Sequence, residues 1–118
     1  MKKYSLFIGR WQPWHEGHRW LIEQRLKENK NVCVAIRDVP KSEEQPWSPK
    51  EIKSNIEDEL EDLIKDGIVK VIIIPDIESI NYGREVGYDV IEHEPPPQVR
   101  AISATEIRRN LKNGRIIS

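Results

Sequence analysis

The sequence predicts an α/β domain built on a mostly parallel sheet, and three observations predict it. Short apolar runs alternate with capped, charged segments along the chain, which is the order of elements in a βαβ protein. The apolar runs at 32–36 (VCVAI) and 69–74 (VKVIII) are nearly continuous, as in strands covered on both faces. The chain has 118 residues, so we expect one domain over residues 1–118.

The individual elements follow from local signals. The first strand is predicted where an apolar run ends at a glycine, and two weaker strand candidates follow the third run. The predicted strands are 4–9, 32–36, 69–74, 77–82 and 88–92. A helix is predicted over 17–29 and another over 103–113. A further helix should begin after Ser48, because Pro49 and Glu51 stand at first-turn and capping-box positions, and should end at Gly67.

Composition excludes several classes of function. With 19 basic and 20 acidic residues the chain is nearly neutral, which argues against a nucleic-acid clamp. No apolar run approaches the roughly 18 residues of a membrane span, and the N-terminus lacks the apolar stretch of a secretory signal. Cys33 is the only cysteine, so no internal disulfide is expected. We therefore expect a cytoplasmic protein that binds neither nucleic acid nor membrane.

The loop after the first strand concentrates anion-binding groups. Residues 9–18 read GRWQPWHEGH, with a glycine at each side of the turn, an arginine, and two histidines three positions apart. A helix N-terminus offers free N–H groups and a positive dipole end, which favour a phosphate. The candidate ligand-binding residues of this loop are Gly9, Arg10, His15, Gly17 and His18.

Other interpretations of this loop remain open. Two histidines at this spacing can bind a metal ion, although a zinc site needs a third ligand, and they can simply cap the helix. The tryptophans at 11, 14 and 20 favour packing over base stacking, and Trp20 is expected in the core. We predict no protein-bound metal here.

A second cluster lies near the end of the chain. Ser103 and Thr105 stand at the N-terminus of the predicted 103–113 helix, and Arg108 follows one turn in. Hydroxyls, helix N–H groups and a guanidinium can together hold phosphate oxygens. Taken alone, this segment is better explained as an ordinary capping box on a solvated basic helix.

The two clusters together resemble a known family. HEGH at 15–18 and ISATEIR at 102–108 are similar to the HxGH and ISxTxxR signatures of the HxGH nucleotidyltransferase (cytidylyltransferase-like) superfamily. The longer string at 9–18 is most similar to the GRFQPFHxGH of archaeal-type nicotinamide mononucleotide adenylyltransferases. The resemblance implies a Rossmann-like, doubly wound parallel sheet in a three-layer α/β/α domain.

The resemblance also implies an activity. Such enzymes transfer a nucleoside monophosphate from a nucleoside triphosphate, ATP or CTP, to a small phosphorylated acceptor and release pyrophosphate. His18 would contact the α-phosphate, and His15 and Arg10 would hold the β- and γ-phosphates. Ser103, Thr105 and Arg108 would close on the triphosphate from the other side. Magnesium would be carried by the triphosphate, and no side chain is expected to act as a general base.

The rest of the substrate site is less defined by sequence. The stretch 81–88 corresponds to the family's nucleoside-binding segment, so Tyr82, Gly83 and Arg84 are candidates for base and ribose contacts. A tight turn between two strands explains them equally well. Arg37, after the second strand, is a candidate for the acceptor phosphate or an ordinary surface arginine.

Two features leave the substrate open. Only three residues, 77–79, separate the VIIIPD segment (71–76) from the INYGR segment, so much of the subgroup's acceptor region is missing. Ile52 also stands where the subgroup carries an arginine at the entry to the second helix. Adenylyl transfer is favoured. The alternatives are a cytidylyltransferase of the glycerol-3-phosphate type and a nucleotide-binding sensor without turnover. By resemblance we also expect a homo-oligomer.

Overall fold

A computed structural model describes residues 2–84 and 87–101. Within these ranges the chain alternates strands and helices. The strands are β1 (Tyr4–Gly9), β2 (Asn31–Asp38) and β3 (Val69–Pro75). The helices are α1 (Glu16–Leu26), α2 (Pro49–Glu59), α3 (Glu61–Lys65) and α4 (Pro97–Arg100). The first three predicted strands are therefore confirmed, each to within two residues at either end.

The described strands form one parallel sheet with the order β1-β2-β3. Phe7 lies beside Val34, and Val34 beside Val71, so these three side chains share one face. The central strand β2 is buried over residues 32–36, which accounts for its unbroken apolar sequence. The prediction of an α/β domain with a parallel sheet is confirmed.

The core lies on the face that carries Phe7, Val34 and Val71. Ile22 of α1 and Ile56 of α2 are fully buried against it. Both helices cover the same face because β1, β2 and β3 follow one another in one direction and such crossovers are right-handed. The opposite face is less covered, with Leu6 58% exposed. The described residues thus combine a three-stranded parallel sheet with helices packed on it.

The predicted start of the second helix is confirmed. Ser48 caps α2 with its hydroxyl, which accepts from the Glu51 N–H at 3.2 Å, and the Glu51 carboxylate returns the capping-box bond. The predicted single helix is interrupted at Leu60, whose φ of −115° and ψ of 26° are not helical. Leu60 is buried, and α3 then ends at Lys65, two residues before Gly67, which has a φ of 74°. No helix in the described ranges is long and apolar enough to cross a membrane.

The two weaker strand candidates are wrong. Residues 77–82 form no regular structure, and neither do residues 88–92. Tyr82 is 73% exposed and Val90 86% exposed. Alternating apolar residues favour a strand only where one face is buried against a neighbour, and the described chain gives these side chains no such cover.

Two of the three loop tryptophans pack as predicted. Trp11 and Trp14 are buried members of the core, whereas Trp20 is only partly buried and lies outside it. The prediction for Trp20 is wrong because Ile22 is the residue of α1 that faces the sheet. Two positions along a helix amount to about 200° of rotation, so Trp20 lies near the opposite side.

Candidate functional site

The candidate site lies at the carboxyl edge of the sheet. β1 ends at Gly9, α1 begins at Glu16, and the loop between them occupies this edge. β2 ends at the same edge with Arg37 and Asp38, because the strands are parallel. Ligands of open α/β sheets bind at the carboxyl ends of strands. The fold therefore brings the histidine loop and Arg37 to the same end of the molecule.

His15 and His18 form the N-terminal cap of α1. The Gly17 N–H donates to Nδ1 of His15 at 3.0 Å, and the His15 N–H donates to Nδ1 of His18 at 3.2 Å. The two imidazole rings stack, with centroids 3.7 Å apart and planes 17° from parallel. The two histidines therefore do cap the helix, and this cap holds both rings in a fixed position.

This cap determines which ring nitrogens carry protons. A neutral imidazole has one N–H and one acceptor nitrogen. Because Nδ1 accepts a backbone N–H in both His15 and His18, the proton of each ring lies on Nε2. The pair thus provides two N–H donors held side by side at the start of a helix.

The surroundings keep both rings neutral. Burial, and then the neighbouring His15, lower the pKa of His18 to about 3. Burial lowers the pKa of His15 as well, and Glu16 partly opposes that shift. Near neutral pH, the pair therefore acts through dipolar N–H groups in the free protein.

Two tryptophans hold the His18 ring. Trp11 meets it edge to face at a centroid distance of 4.8 Å, and Trp14 lies 5.5 Å away. Trp11 is itself fixed, because its indole N–H donates to the Ala35 carbonyl at 3.1 Å. It has a φ of 55°, and its ring lies so close to Gly9 that a Cβ there would be 3.0 Å from the indole. Gly9 has no Cβ and therefore leaves room for the Trp11 ring.

Gly17 makes room for His15 in the same way. A Cβ at Gly17 would lie 2.8 Å from Cε1 and 3.0 Å from Nδ1 of the His15 ring. Such contacts are too short for the ring to stay in place. The glycine between the two histidines is therefore required by the imidazole that caps the helix.

The two candidate arginines differ in their environment. Arg10 is exposed at the edge of the loop. Arg37 is held by Asp76, which accepts from Nε at 2.9 Å and lies 2.7 Å from Nη2. Arg37 also donates to the Ile77 carbonyl at 3.4 Å. A phosphate at Arg37 would have to share this guanidinium with a carboxylate.

Gln12 positions the histidine loop, and no sequence pattern singled it out as a site residue. Its side-chain amide donates to the Trp47 carbonyl at 2.8 Å, and its oxygen accepts from the Trp47 N–H at 3.2 Å. Gln12 is buried, so these bonds tie the histidine loop to the end of the 39–47 loop. The only sequence signal for Gln12 was a polar residue placed between two tryptophans, Trp11 and Trp14.

The chain returns to this site near its C-terminal end. His93 stacks on Phe7 of β1 at a centroid distance of 6.1 Å. The Val99 carbonyl oxygen of α4 lies 3.7 Å from where a Cβ on Gly17 would be. The segment that leads toward the second predicted cluster thus lies against the start of α1. Ser103, Thr105 and Arg108, together with the predicted 103–113 helix, lie outside the described residues.

The predicted nucleoside-binding residues are exposed at the surface of the free protein. Tyr82, Gly83 and Arg84 are all exposed, and no heavy atom lies within 4 Å of where a Cβ on Gly83 would be. No close contact therefore requires a glycine at position 83 in the free protein. Their predicted contacts with base and ribose remain predictions.

The described residues contain no group of three or more His, Cys, Asp or Glu side chains arranged to hold a metal ion. Comparison with known proteins gives no further assignment: no family model matches the chain, and no curated protein matches it significantly. The chemistry of the site is therefore argued from the histidine pair and its surroundings.

The buried histidine pair predicts a pH-dependent stability. The pKa of His18 is about 3 in the folded chain, against the ordinary 6.5, so the unfolded chain binds more protons between these values. Stability should be complete above pH 6.5 and should fall as the pH decreases, by up to about 1.4 kcal/mol per pH unit for one histidine. Urea unfolding at pH 7, 6 and 5 measures this loss.

A variant separates this effect from other groups. His18→Asn should reduce the slope of the pH profile, because the histidine with the strongly lowered pKa is gone, while His15 remains. The Glu51 carboxylate also has a lowered pKa, from its hydrogen bonds to Lys41 and Ser48, but it acts below its ordinary 4.5. An unchanged slope in His18→Asn between pH 6.5 and 5 would contradict the assignment.

Proposed function

We propose that this chain is a nucleotidyltransferase of the HxGH type, which transfers a nucleoside monophosphate, with AMP favoured, from a nucleoside triphosphate to a small phosphorylated acceptor. The observation that carries the proposal is the stacked His15–His18 pair. It places two N–H donors at a helix start, on the sheet edge where α/β proteins bind ligands.

The histidine pair and its surroundings can supply what this reaction needs. An oxygen of the acceptor phosphate attacks the α-phosphorus, the bond to the bridging α–β oxygen breaks, and pyrophosphate leaves. The acceptor phosphate is already ionised, so no side chain has to remove a proton. Catalysis then consists of aligning two phosphates and stabilising the charge that develops between them.

The described residues take separate parts in this proposal. Nε2 of His18 donates to the α-phosphate oxygen, and His15 and Arg10 bind the β- and γ-phosphates. Trp11 and Trp14 exclude water from one side of His18 and keep its ring in place. Fixed donors stabilise a transition state because they need no reorientation during the reaction.

The second cluster completes the triphosphate site in this proposal. Support comes from α4, which lies against the start of α1 at Gly17 just before the chain enters residues 102–108. Ser103, Thr105 and Arg108 would then hold the phosphates from the side opposite His15. The remaining chain would complete the doubly wound, three-layer form of the domain.

Magnesium would arrive bound to the triphosphate. Mg²⁺ usually keeps several waters and binds substrate phosphates with few protein ligands. It would neutralise charge on the phosphate oxygens, while His15, His18 and Arg10 orient them. The acceptor phosphate would approach from the carboxyl end of β2, where Arg37 can release part of its contact with Asp76.

Pyrophosphate release tests the proposal. The chain should bind ATP or CTP with magnesium, measured by calorimetry, and release pyrophosphate when a panel of small phosphomonoesters is added. A comparison of the two triphosphates decides between adenylyl and cytidylyl transfer. Binding without pyrophosphate for any acceptor would favour the sensor, and absence of binding by both triphosphates would exclude the nucleotide site.

A further inference from the structure

A groove runs along the outer edge of β3, beside one flank of α2. It is lined by Lys50, Lys53, Ser54, Glu57, Val71, Ile72 and Ile73. Successive side chains of a strand point to opposite faces, so three consecutive strand residues line one groove only where the strand presents its edge. The groove therefore contains the edge of β3 that has no strand partner in the described sheet.

The backbone of this edge is oriented for pairing. The Val32 N–H donates to the Ile68 carbonyl at 2.9 Å, so Ile68 turns its backbone groups toward β2. Because this direction alternates along a strand, Val71 and Ile73 turn their N–H and C=O groups away from β2. Ile73 is 37% exposed, and Lys70 is the only charge in the strand. An apolar, unprotected edge of this kind is a template for another strand.

We infer that a second copy of this chain pairs with this edge. The two β3 strands run antiparallel about a twofold axis at Ile72, and the described three-stranded sheets join into one of six strands. Val71 of each protomer then exchanges backbone hydrogen bonds with the partner's Ile73. The exposed Ile73 side chain is covered by the partner's Val71 on the face that carries α2.

The charges of α2 suit a copy of the same chain. Two α2 helices related by this axis run antiparallel, with the axis passing between Lys53 and Ser54 at the middle of the groove. Lys50 then lies opposite the partner's Glu57. Within one chain, Glu57 already contacts Lys53 at 3.2 Å, so each carboxylate would lie between two ammonium groups. A twofold interface requires a surface that complements itself in this way.

The helix positions permit this arrangement. α2 packs on both β2 and β3. Its axis therefore lies between these two strands, displaced from β3 toward β2 by about half of the ~4.8 Å strand spacing. The twofold-related helix is then about 10 Å away, which is an ordinary distance for packed helices. The two helices cover the new strand pair and do not collide.

The oligomeric state tests this inference, with a readout independent of catalysis. Sedimentation velocity between about 1 μM and 100 μM chain should show a dimer, with a mass near twice 13.9 kDa. Ile73→Pro removes an N–H that points away from β2 together with the exposed isoleucine side chain, and it should give a monomer. Leu6→Lys, at an exposed side chain of β1 at the other end of the described sheet, should leave the dimer intact. A monomer at every concentration would overturn the inference, as would an unchanged dimer in Ile73→Pro.

Charge reversal gives a second test that leaves the strand unchanged. Lys50→Glu places two carboxylates opposite each other and should raise the dissociation constant by about tenfold or more. The double variant Lys50→Glu/Glu57→Lys should restore it, because the pair is reversed on both sides of the axis. Circular dichroism confirms the fold of each variant. If the double variant dimerises no better than Lys50→Glu, the proposed alignment of α2 is wrong.

Discussion

Replacing His18 with asparagine should reduce the rate of pyrophosphate release by roughly 10²–10³-fold, the cost of losing one fixed donor at a developing charge. Asparagine can still accept the His15 N–H through its side-chain oxygen, in place of Nδ1. It has no donor at the position of Nε2. The variant therefore keeps the cap of α1 and removes the contact with the α-phosphate, which steady-state kinetics with ATP and CTP measures.

Two further variants make this prediction specific. His18→Gln carries an N–H group near the position of Nε2 but loses the Nδ1 acceptor, so it should retain more activity and less stability than His18→Asn. His93→Asn removes a histidine that stacks on Phe7 outside the pair, and it should leave the rate unchanged. Equal rates in His18→Asn and the unmodified chain would show that His18 acts only as a helix cap.

Substitution of Gly17 by alanine should reduce turnover about 100-fold, because small displacements of a catalytic group have effects of this size. The alanine Cβ would lie 2.8 Å from the His15 ring and must displace it. The ring then loses both the Gly17 N–H and its stack on His18. Turnover and triphosphate affinity should fall together, since His15 is proposed to hold the β- and γ-phosphates.

Stability provides the internal check for this variant. Alanine favours a helix over glycine by about 1 kcal/mol, which opposes the loss of the cap, worth about 1 kcal/mol. We therefore expect little change in the free energy of unfolding by urea, with a large change in activity. Full activity in Gly17→Ala would contradict the role given to His15.

The histidine pair links stability to the proposed chemistry. Because the Nδ1 atoms close the helix cap, the donor proton of each ring lies on Nε2, and burial keeps the rings neutral by lowering the pKa of His18 to about 3. A polyphosphate bound to the pair would favour the protonated rings. The folding cost of the pair below pH 6.5 and its proposed role in phosphate binding therefore have one physical origin.

Sequence patterns predicted the described fold where the signal was local. The apolar runs gave β1, β2 and β3, and the capping box at Ser48 gave the start of α2. They failed where the outcome depended on distant packing. Apolar residues at 77–82 and 88–92 resembled strands, yet no described neighbour covers them, and the helix predicted to run from 49 to Gly67 breaks at the buried Leu60.

The candidate site divides in the same way. The sequence by itself determined that β1 ends at a glycine and that two histidines, a second glycine and an arginine follow it, because their identity and spacing are local. Tertiary structure decided the stacking of the two histidine rings and the contacts of Trp11 and Trp14 with His18. It also decided the hydrogen bond from Gln12 to Trp47 and the pairing of Arg37 with Asp76. These contacts join residues from different strands and loops, and only the folded chain brings such groups within hydrogen-bonding distance.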